Sequence, residues 1–201
     1  MIPLDRWDPD ALAAEWTAAA PFPHLVFDSF LEEGAFRALH EAALGEPLFH
    51  QGDEIYQHRG GWEPPGAPLL RAFGEDLARK PLLDLLGRIT GRRATQVSLR
   101  AYRYDRGDYL LPHTDFRPGE ERVLAFAYYL AAVGGVPLRG GALELFDCAV
   151  DGSSLTGATS AKLIEPKANR LALFEVSGRA LHQVREVQRG QRLSLAGWFL
   201  A

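Results

Sequence analysis

Three polar elements, far apart in the sequence, most strongly restrict the folds open to this chain. The motif His113-Thr114-Asp115 ends a segment with strand character, His182 follows much later, and Arg192-Leu193-Ser194 comes after that. Side chains alternate between the two faces of a strand, so a strand through His113 and Asp115 would direct both to one side. Adding His182 to that pair requires a fold that brings a separate strand alongside.

Together these three side chains suit a metal ion. Two imidazoles and one carboxylate leave further coordination positions open, which is typical of non-haem Fe(II) oxygenase sites. Arg192 and Ser194 would share a face of the last strand, where an Arg among apolar residues is costly unless it is paired. A carboxylate-bearing ligand would suit the planar guanidinium of Arg192, and a structural carboxylate is the alternative.

Composition indicates a soluble globular protein with one domain over residues 1–201. The 201 residues carry a formal net charge of −4 with acids and bases interspersed, so we expect no nucleic-acid partner. Cys148 is the one cysteine, which excludes an intramolecular disulfide and favours a reducing compartment. The start lacks signal-peptide features and no apolar stretch could span a bilayer. We therefore expect a cytoplasmic protein without a membrane partner, and its oligomeric state stays open.

The first half of the chain has mostly helical periodicity. We predict helices over residues 11–20, 31–44, 69–77 and 81–90, and a short strand over 24–30. Gly and Pro interrupt residues 51–68 without any period, so we predict a loop there. This loop could be a lid over a site or a passive connector.

The second half changes to strand character. We predict strands over residues 97–104, 109–115, 123–132, 142–146, 171–176, 180–187 and 192–200, with a small, polar loop over 151–160. Short antiparallel strands behind helices predict a mostly β fold of the sandwich or jelly-roll type, with helical support mainly in 1–92 and the β core mainly in 94–201. On the central strand, Val123, Ala125, Ala127 and Tyr129 share a face, where small residues leave space and the Tyr hydroxyl could meet an anion.

The ordered set of motifs resembles a known family. The letters Y-D-R-G-D-Y-L-L-P-H-T-D occupy residues 104–115, and R-V-L-A-F-A-Y-Y-L, G-G-A-L-E-L-F, H-Q-V and R-L-S-L-A-G-W-F follow at 122–130, 140–146, 182–184 and 192–199. This set resembles the Fe(II)/2-oxoglutarate-dependent dioxygenases, specifically the prolyl 4-hydroxylase-like branch. Residues 21–44 also resemble the entry segment of microbial members.

The resemblance implies a double-stranded β-helix of the cupin-like, jelly-roll type. It also implies a hydroxylase that uses Fe(II), 2-oxoglutarate and O2, with ascorbate in support. By motif match, the metal ligands are His113, Asp115 and His182. The implied 2-oxoglutarate contacts are Arg192, Tyr129, Tyr104, Ser194, Leu143 and Val184. Candidate substrate contacts are Arg122, Trp198 and Arg100, although Arg122 could equally be an exposed ion-pairing residue and Trp198 a core residue.

The sequence leaves the substrate open. A prolyl or similar residue in a protein or peptide is one class, and a free amino acid or other small metabolite is another, because substrate choice lies in loops that vary within one fold. Two rival functions remain. One is a non-catalytic β-helix binding module, which would not need His113, Asp115, His182 and Arg192 together. The other is a cupin-like metalloenzyme of different chemistry, such as a zinc hydrolase, which would not need both Arg192 and Tyr129.

Overall fold

A curved antiparallel sheet with helices on one side forms the body of the protein. The structure is a computed structural model that describes residues 2–130, 135–151 and 154–201. Its strands are β1 His24–Phe27, β2 Phe49–Gly52, β3 Tyr56–Gly60, β4 Gln96–Tyr104, β5 Tyr109–His113, β6 Arg122–Tyr129, β7 Arg139–Gly140, β8 Leu143–Asp151, β9 Ser154–Ile164, β10 Arg170–Glu175, β11 His182–Val184, β12 Val187–Arg189 and β13 Arg192–Leu200. Its helices are α1 Pro9–Ala18, α2 Glu33–Leu44, α3 Pro68–Leu77 and α4 Lys80–Thr90.

The strand order explains how the sheet encloses a site. Within the described residues, the main sheet has 11 strands, ten of them in the order β1-β10-β6-β13-β4-β3-β5-β11-β8-β9, with β2 paired to β3. Leu143 and Leu145 of β8 nevertheless share a buried cluster with Ala127 of β6 and Ala172 of β10. Strands far apart in the order therefore face each other across an interior, and the sheet curls on itself. The prediction of a mostly β, jelly-roll fold is confirmed.

Alternation along β6 separates the interior of the curl from the helical layer. Leu124, Phe126 and Tyr128 belong to the large core that packs against the helices. The intervening Ala125, Ala127 and Tyr129 face the interior of the curled sheet. The shared face predicted for Ala125, Ala127 and Tyr129 is confirmed, because successive side chains of a strand point to opposite faces. Val123, which was predicted on the same face, packs instead against the large core on the helical side. The small Ala side chains leave room inside.

The helices end and begin where sequence signals indicate. Pro lies at the first positions of α1, α3 and α4, where a missing N–H costs nothing. Gly91 ends α4 with φ of 69°, a left-handed conformation that favours glycine. No helix in the described part of the chain has both the length and the apolar character to cross a membrane.

Two segments predicted as loops contain strands, although residues 61–67 form no helix or strand. Residues 51–68 were expected to form a loop, but they include the end of β2 and all of β3, joined by a turn in which the Asp53 carboxylate accepts from the backbone N–H groups of Ile55 and Tyr56 at 2.7 and 3.2 Å. The expected loop over 151–160 lies largely in β9, an edge strand with exposed side chains, although residues 152 and 153 lie outside the described part. Strand β9 is exposed on both faces over residues 155–163, and the residues that β3 buries are His58 and Gly60, which are not apolar. Neither strand therefore has an apolar alternation, and periodicity does not reveal them.

Three strand boundaries also differ from the prediction. The strand expected over 180–187 is divided into β11 and β12, which pair with different partners. The strand expected to reach Asp115 ends at His113, which is the last residue of β5 that pairs with β11. The strand over 123–132 ends at Tyr129, and residues 131 and 132 lie outside the described part.

Candidate active site

A pocket of about 310 Å3 opens inside the curled sheet. It is lined by residues from β4, β5, β6, β8, β11 and β13 and from the β2–β3 turn. Predicted site residues that line it are His113, Asp115, His182, Arg192, Tyr104, Ser194, Leu143, Val184, Arg122 and Trp198. The strand pairing therefore gathers residues that are widely separated in the sequence into one cavity.

The predicted metal ligands form a tight cluster at this pocket. One ligand atom from each of His113, Asp115 and His182 lies within 4.8 Å of the others. The His113 Nε2 is 3.8 Å from Asp115 Oδ1, and the His182 Nε2 is 3.6 Å from Asp115 Oδ2. The two histidines are direct cross-strand partners, His182 on β11 opposite His113 on β5. This cluster of two imidazoles and one carboxylate could hold a metal ion.

Backbone carbonyl groups fix the orientation of the two imidazole rings and the nitrogen that carries the proton. The Nδ1 of His113 lies 2.9 Å from the Leu111 carbonyl oxygen, and the Nδ1 of His182 lies 2.9 Å from that of Ala180. A carbonyl can only accept, so each Nδ1 carries a proton and donates, and each Nε2 is the ring nitrogen that faces Asp115. Such partners orient histidine ligands in metal sites.

Burial keeps His182 neutral. The side chain is 5% exposed and its ring lies 4.6 Å from that of Phe174. Burial lowers the pKa of His182 well below its usual value, with Asp115 opposing the shift and His113 adding to it. A neutral imidazole is the form that binds a metal ion.

Asp115 reaches the cluster by a different route from the predicted one. Strand alternation was expected to place it beside His113, but it lies beyond the end of β5. It is nonetheless 9% exposed and faces both histidines. The segment after the strand therefore positions this carboxylate, and the H-x-D spacing alone does not.

A second polar group lies deeper in the pocket, around Arg192. This guanidinium is 4% exposed, and among the described residues no carboxylate forms an ion pair with it. Its central carbon lies 4.8 Å from the Tyr104 ring centroid and 5.0 Å from that of Tyr129. Burial raises the pKa of both tyrosines, against the opposing charge of Arg192, so both hydroxyls stay protonated.

The polar atoms around Arg192 fit a carboxylate ligand. The Arg192 Nε, the Tyr129 hydroxyl and the Ser194 hydroxyl are all buried without a hydrogen-bond partner in the described part of the chain. A buried donor without an acceptor is costly, whereas a carboxylate could accept from all three kinds of group. The apolar side chains of Leu143 and Val184 complete the pocket wall. The residues present thus fit 2-oxoglutarate, with an anionic end toward Arg192.

The predicted substrate contacts divide into two groups. The Arg122 guanidinium lies over the Trp198 ring at 3.8 Å, and both residues line the pocket. Arg122 also pairs with Glu120 at 2.8 Å, so its alternative description as an ion-pairing residue holds as well. Arg100 instead pairs with Glu63 at 2.8 Å and is not among the described lining residues.

The structure adds lining residues that the sequence did not reveal. They include Ile55, Tyr56, Leu110, Arg117 and Phe174, and Tyr102 lines the pocket as well. Ile55 and Tyr56 lie in the segment predicted as a loop, where nothing indicated pairing with β5. Tyr102 was recognisable, because it shares a face of β4 with Tyr104.

His58 on β3 is a further buried residue beside the pocket. Its ring lies 4.9, 5.3 and 5.2 Å from those of Tyr56, Tyr102 and Tyr104. Its Nε2 is 3.3 Å from the Gln51 amide oxygen. Burial, followed by the charge of Arg192, lowers the pKa of His58 to about 4. His58 is therefore neutral and forms an aromatic backing for Tyr104.

Comparisons with known proteins agree with this geometry. The family model of the 2OG-Fe(II) oxygenase superfamily matches residues 99–200, which contain every predicted metal ligand and 2-oxoglutarate contact. The chain is similar to the prolyl 3-hydroxylase sudestada1 of Drosophila melanogaster, at 32% identity over 89% of this chain and 34% of that protein. It is similar to the prolyl 3-hydroxylase OGFOD1 of Mus musculus, at 29% identity over 89% of this chain and 33% of that protein. The chain thus spans about a third of the length of these relatives.

Solved structures share the fold. A prolyl-4-hydroxylase of Pseudomonas putida matches with a TM-score of 0.71 at 22% identity, covering 96% of this chain and 98% of that one. A prolyl hydroxylase from Trichoplax adhaerens, in complex with a peptide fragment of a hypoxia inducible factor, matches with a TM-score of 0.65 at 15% identity, covering 95% of this chain and 89% of that one. At these identities the likeness shows the fold.

Proposed function

The chain belongs to the 2OG-Fe(II) oxygenase superfamily, and from that premise we propose that it is an Fe(II)- and 2-oxoglutarate-dependent hydroxylase of prolyl residues in a protein or peptide. One observation carries the proposal: Arg192 and Ser194, whose Nε and hydroxyl are buried and unpaired in the described part of the chain, line the same pocket as His113, Asp115 and His182. Three metal-binding residues alone would be compatible with many reactions, and an unpaired buried Arg alone would be compatible with any anion. Their combination supports a metal that works together with a carboxylate co-substrate.

Each group has a defined task in this proposal. His113, Asp115 and His182 hold Fe(II), and Arg192 holds the far carboxylate of 2-oxoglutarate with hydrogen bonds from Tyr129 and Ser194. Bound iron supplies the oxidising chemistry, in which 2-oxoglutarate and O2 yield succinate, CO2 and a hydroxylated product. Leu143, Val184 and Phe174 exclude water from the reacting groups. The protein thus binds, orients and shields.

The prolyl substrate is proposed from the relatives. Those similar over 89% of this chain are named prolyl 3-hydroxylases, and the similar fold from Pseudomonas putida is a prolyl-4-hydroxylase. These names differ in the carbon of the proline ring that is hydroxylated, so the position of hydroxylation has to be determined separately. Two-dimensional NMR of the hydroxylated product distinguishes 3- from 4-hydroxyproline.

A second candidate substrate class is a free amino acid or another small acid. Arg117 and Arg122 line the same pocket as the three metal-binding residues, and an additional cation suits a substrate carboxylate. We also propose, from the sequence, that ascorbate supports turnover by keeping iron reduced and that the protein works in the cytoplasm.

Anaerobic titration tests the site directly. Fe(II) added to the protein with 2-oxoglutarate should produce a visible metal-to-ligand charge-transfer band that is absent without 2-oxoglutarate. The Asp115→Ala variant, which loses a ligand of the cluster, should not produce it. Equal bands in the wild type and the variant would show that these residues are not the iron site.

Turnover then separates the candidate functions. Aerobic protein with Fe(II), ascorbate and 2-oxoglutarate should release succinate slowly, and the true substrate should accelerate it. Acceleration by proline-containing peptides supports the protein substrate, and acceleration by free amino acids alone supports the small-acid substrate. A protein that binds iron and 2-oxoglutarate yet never releases succinate would instead be a binding module.

A further inference from the structure

A groove lined by arginines lies apart from the candidate active site. Strands β7 and β12 pair as a separate two-stranded ribbon, and the turn between β4 and β5 lies beside it. Together they border a cavity of about 750 Å3, which we term the arginine groove, lined by Arg106, Arg139, Arg189, Pro137, Leu138, Gln188 and Gly190. Its described lining shares no residue with that of the candidate active-site pocket.

The three arginines of this groove lack acidic partners. Arg106, Arg139 and Arg189 are exposed and form no ion pair with the residues that the structure describes. Elsewhere arginines are commonly paired, as Arg59 is with Asp105 at 3.0 Å. The described lining contains no carboxylate. The positive charge of the groove is therefore not neutralised from within.

Strand register makes this concentration of charge unfavourable for the isolated protein. Arg189 on β12 is the antiparallel partner of Arg139 on β7, just after a register shift between Val187 and Arg189. Like charges directly opposite each other across a strand pair are destabilising. An anion lying between the two guanidinium groups would convert that repulsion into two favourable pairs.

The backbone of the ribbon is fixed by glycines. Gly140 has φ of 81°, and a side chain there would collide with the carbonyl oxygen of Glu186. Gly190 has φ of 74°, and its Cβ would lie 3.0 Å from the Pro137 carbonyl oxygen. Both positions require glycine, so the ribbon holds the arginines on a defined frame.

We propose that the arginine groove binds an acidic segment of a partner protein through paired carboxylate and guanidinium groups. Arg suits this role because its planar guanidinium can donate two parallel hydrogen bonds to one carboxylate. A peptide is favoured over nucleic acid because the whole chain has a net charge of −4 and a pI near 5.9, whereas nucleic-acid-binding domains are typically basic overall. Three arginines also match a short acidic segment better than a long polyanion.

The test uses the whole chain without metal or 2-oxoglutarate, so its result is independent of the proposed enzymatic function. A fluorescein-labelled oligo-glutamate peptide is titrated with the protein and followed by anisotropy, with a labelled Ser-Gly peptide as the neutral control. The wild type should bind the acidic peptide in a salt-sensitive manner. Arg139→Glu should weaken this binding about tenfold or more, because it removes one cation and adds a repelling anion.

Arg93→Glu is the matched control, because Arg93 is also exposed and unpaired in the described structure but lies outside the groove. It makes the same change in net charge and should leave the affinity within about twofold of the wild type. Thermal unfolding gives a second signature. Arg139→Glu should raise Tm slightly by replacing a like-charged pair with an opposite one, whereas Arg93→Glu should not.

Three outcomes would overturn the proposal. The first is an absence of binding of the acidic peptide by the wild type at low salt. The second is an equal loss of affinity in Arg139→Glu and Arg93→Glu, which would reflect net charge alone. The third is a single-stranded oligonucleotide that binds more tightly than the peptide and loses that affinity specifically in Arg139→Glu, which would make the partner a nucleic acid.

Discussion

At the scale of single residues, Arg192 shows how a side chain that is costly to bury indicates a ligand-binding site. A buried guanidinium among apolar neighbours requires an anion, and that reasoning needs only the strand pattern of residues 192–200. The structure places Arg192 between two tyrosine rings without a carboxylate partner in its described surroundings. His58 could not be recognised in the same way, because its burial depends on pairing of β3 that leaves no periodicity in the sequence.

The role of Arg192 predicts unequal effects at two neighbouring positions. Arg192→Ala should weaken 2-oxoglutarate binding by about 2 kcal/mol or more, because a charge-assisted pair in a partly desolvated pocket is lost. Tyr129→Phe removes one neutral donor and should cost about 1 kcal/mol. Calorimetry with Mn(II) in place of iron measures both affinities. A loss in Tyr129→Phe far larger than in Arg192→Ala would identify the tyrosine as the principal anchor.

At the scale of elements, the sequence predicts best where one face of a strand is fully buried. Strands β4, β6, β10 and β13 lie close to their predicted positions because the helical layer covers one face of the sheet. Strands β3 and β9 were missed, since β3 is held between β4 and β5 and β9 is an exposed edge. The proximity of the three metal-binding residues could not be predicted from local patterns either, because His182 meets His113 only through the pairing of β11 with β5.

Asn169, in the turn before β10, links β6 to the segment before α2 and should be critical for stability. Its amide oxygen accepts from the Tyr128 hydroxyl at 2.7 Å and the Leu31 N–H at 2.9 Å, and its amide nitrogen donates to the Leu31 carbonyl at 2.8 Å. Its φ is 59°, which Asn tolerates better than most residues. Asn169→Ala should lower the free energy of unfolding by about 2–4 kcal/mol, because buried groups lose partners and the backbone is strained.

Urea denaturation measures that loss, and Asn169→Gly separates its two causes. Glycine also loses the three hydrogen bonds but accepts the positive φ without strain. It should therefore be destabilised less than Asn169→Ala by about 1 kcal/mol. Equal stability of Asn169→Ala and the wild type would mean that the buried amide has no structural role.

At the scale of the whole molecule, Asp105 joins three neighbouring strands of the sheet that are far apart in the sequence. Its carboxylate lies 3.0 Å from Arg59 on β3 and 3.1 Å from Arg103 on β4, and it accepts from Gln191 before β13 at 2.6 Å. Burial tends to raise the pKa of Asp105, but the hydrogen bond and charge of Arg59 and Arg103, with Gln191, outweigh it and lower the pKa.

This lowered pKa predicts an acid dependence of stability. A carboxyl group whose pKa is lower in the folded state contributes stability above its ordinary value near 3.8, and that contribution is lost as the pH falls through the folded-state pKa. Asp105→Asn should lower the free energy of unfolding at pH 7 by about 1 kcal/mol, since the group is partly exposed. The difference between wild type and variant should shrink below about pH 4. A difference that stays constant from pH 7 to pH 3 would contradict this origin.

Ligand-linked stability joins the site to the molecule as a whole. The three metal-binding residues come from β5, the segment after it and β11, and Arg192 begins β13. Ligands bound at the site therefore connect both halves of the curled sheet. Any ligand that binds only the folded state stabilises it by about 2.7 kcal/mol at a hundredfold excess over its dissociation constant. Mn(II) and 2-oxoglutarate together should therefore raise the Tm of the wild type by about 5–10 °C.

Variants of the site should separate the increase in Tm caused by Mn(II) from the increase caused by 2-oxoglutarate. Differential scanning calorimetry measures both. Arg192→Ala should keep the increase caused by Mn(II) and lose most of the further increase caused by 2-oxoglutarate. Asp115→Ala should lose both, because 2-oxoglutarate needs the metal as well as the arginine. Its Tm without ligands should stay near or above that of the wild type, since removal of a buried carboxylate leaves no core cavity of note and relieves desolvation. A full 2-oxoglutarate effect in Asp115→Ala would mean that the co-substrate binds without the metal, and that the two groups of the pocket work independently.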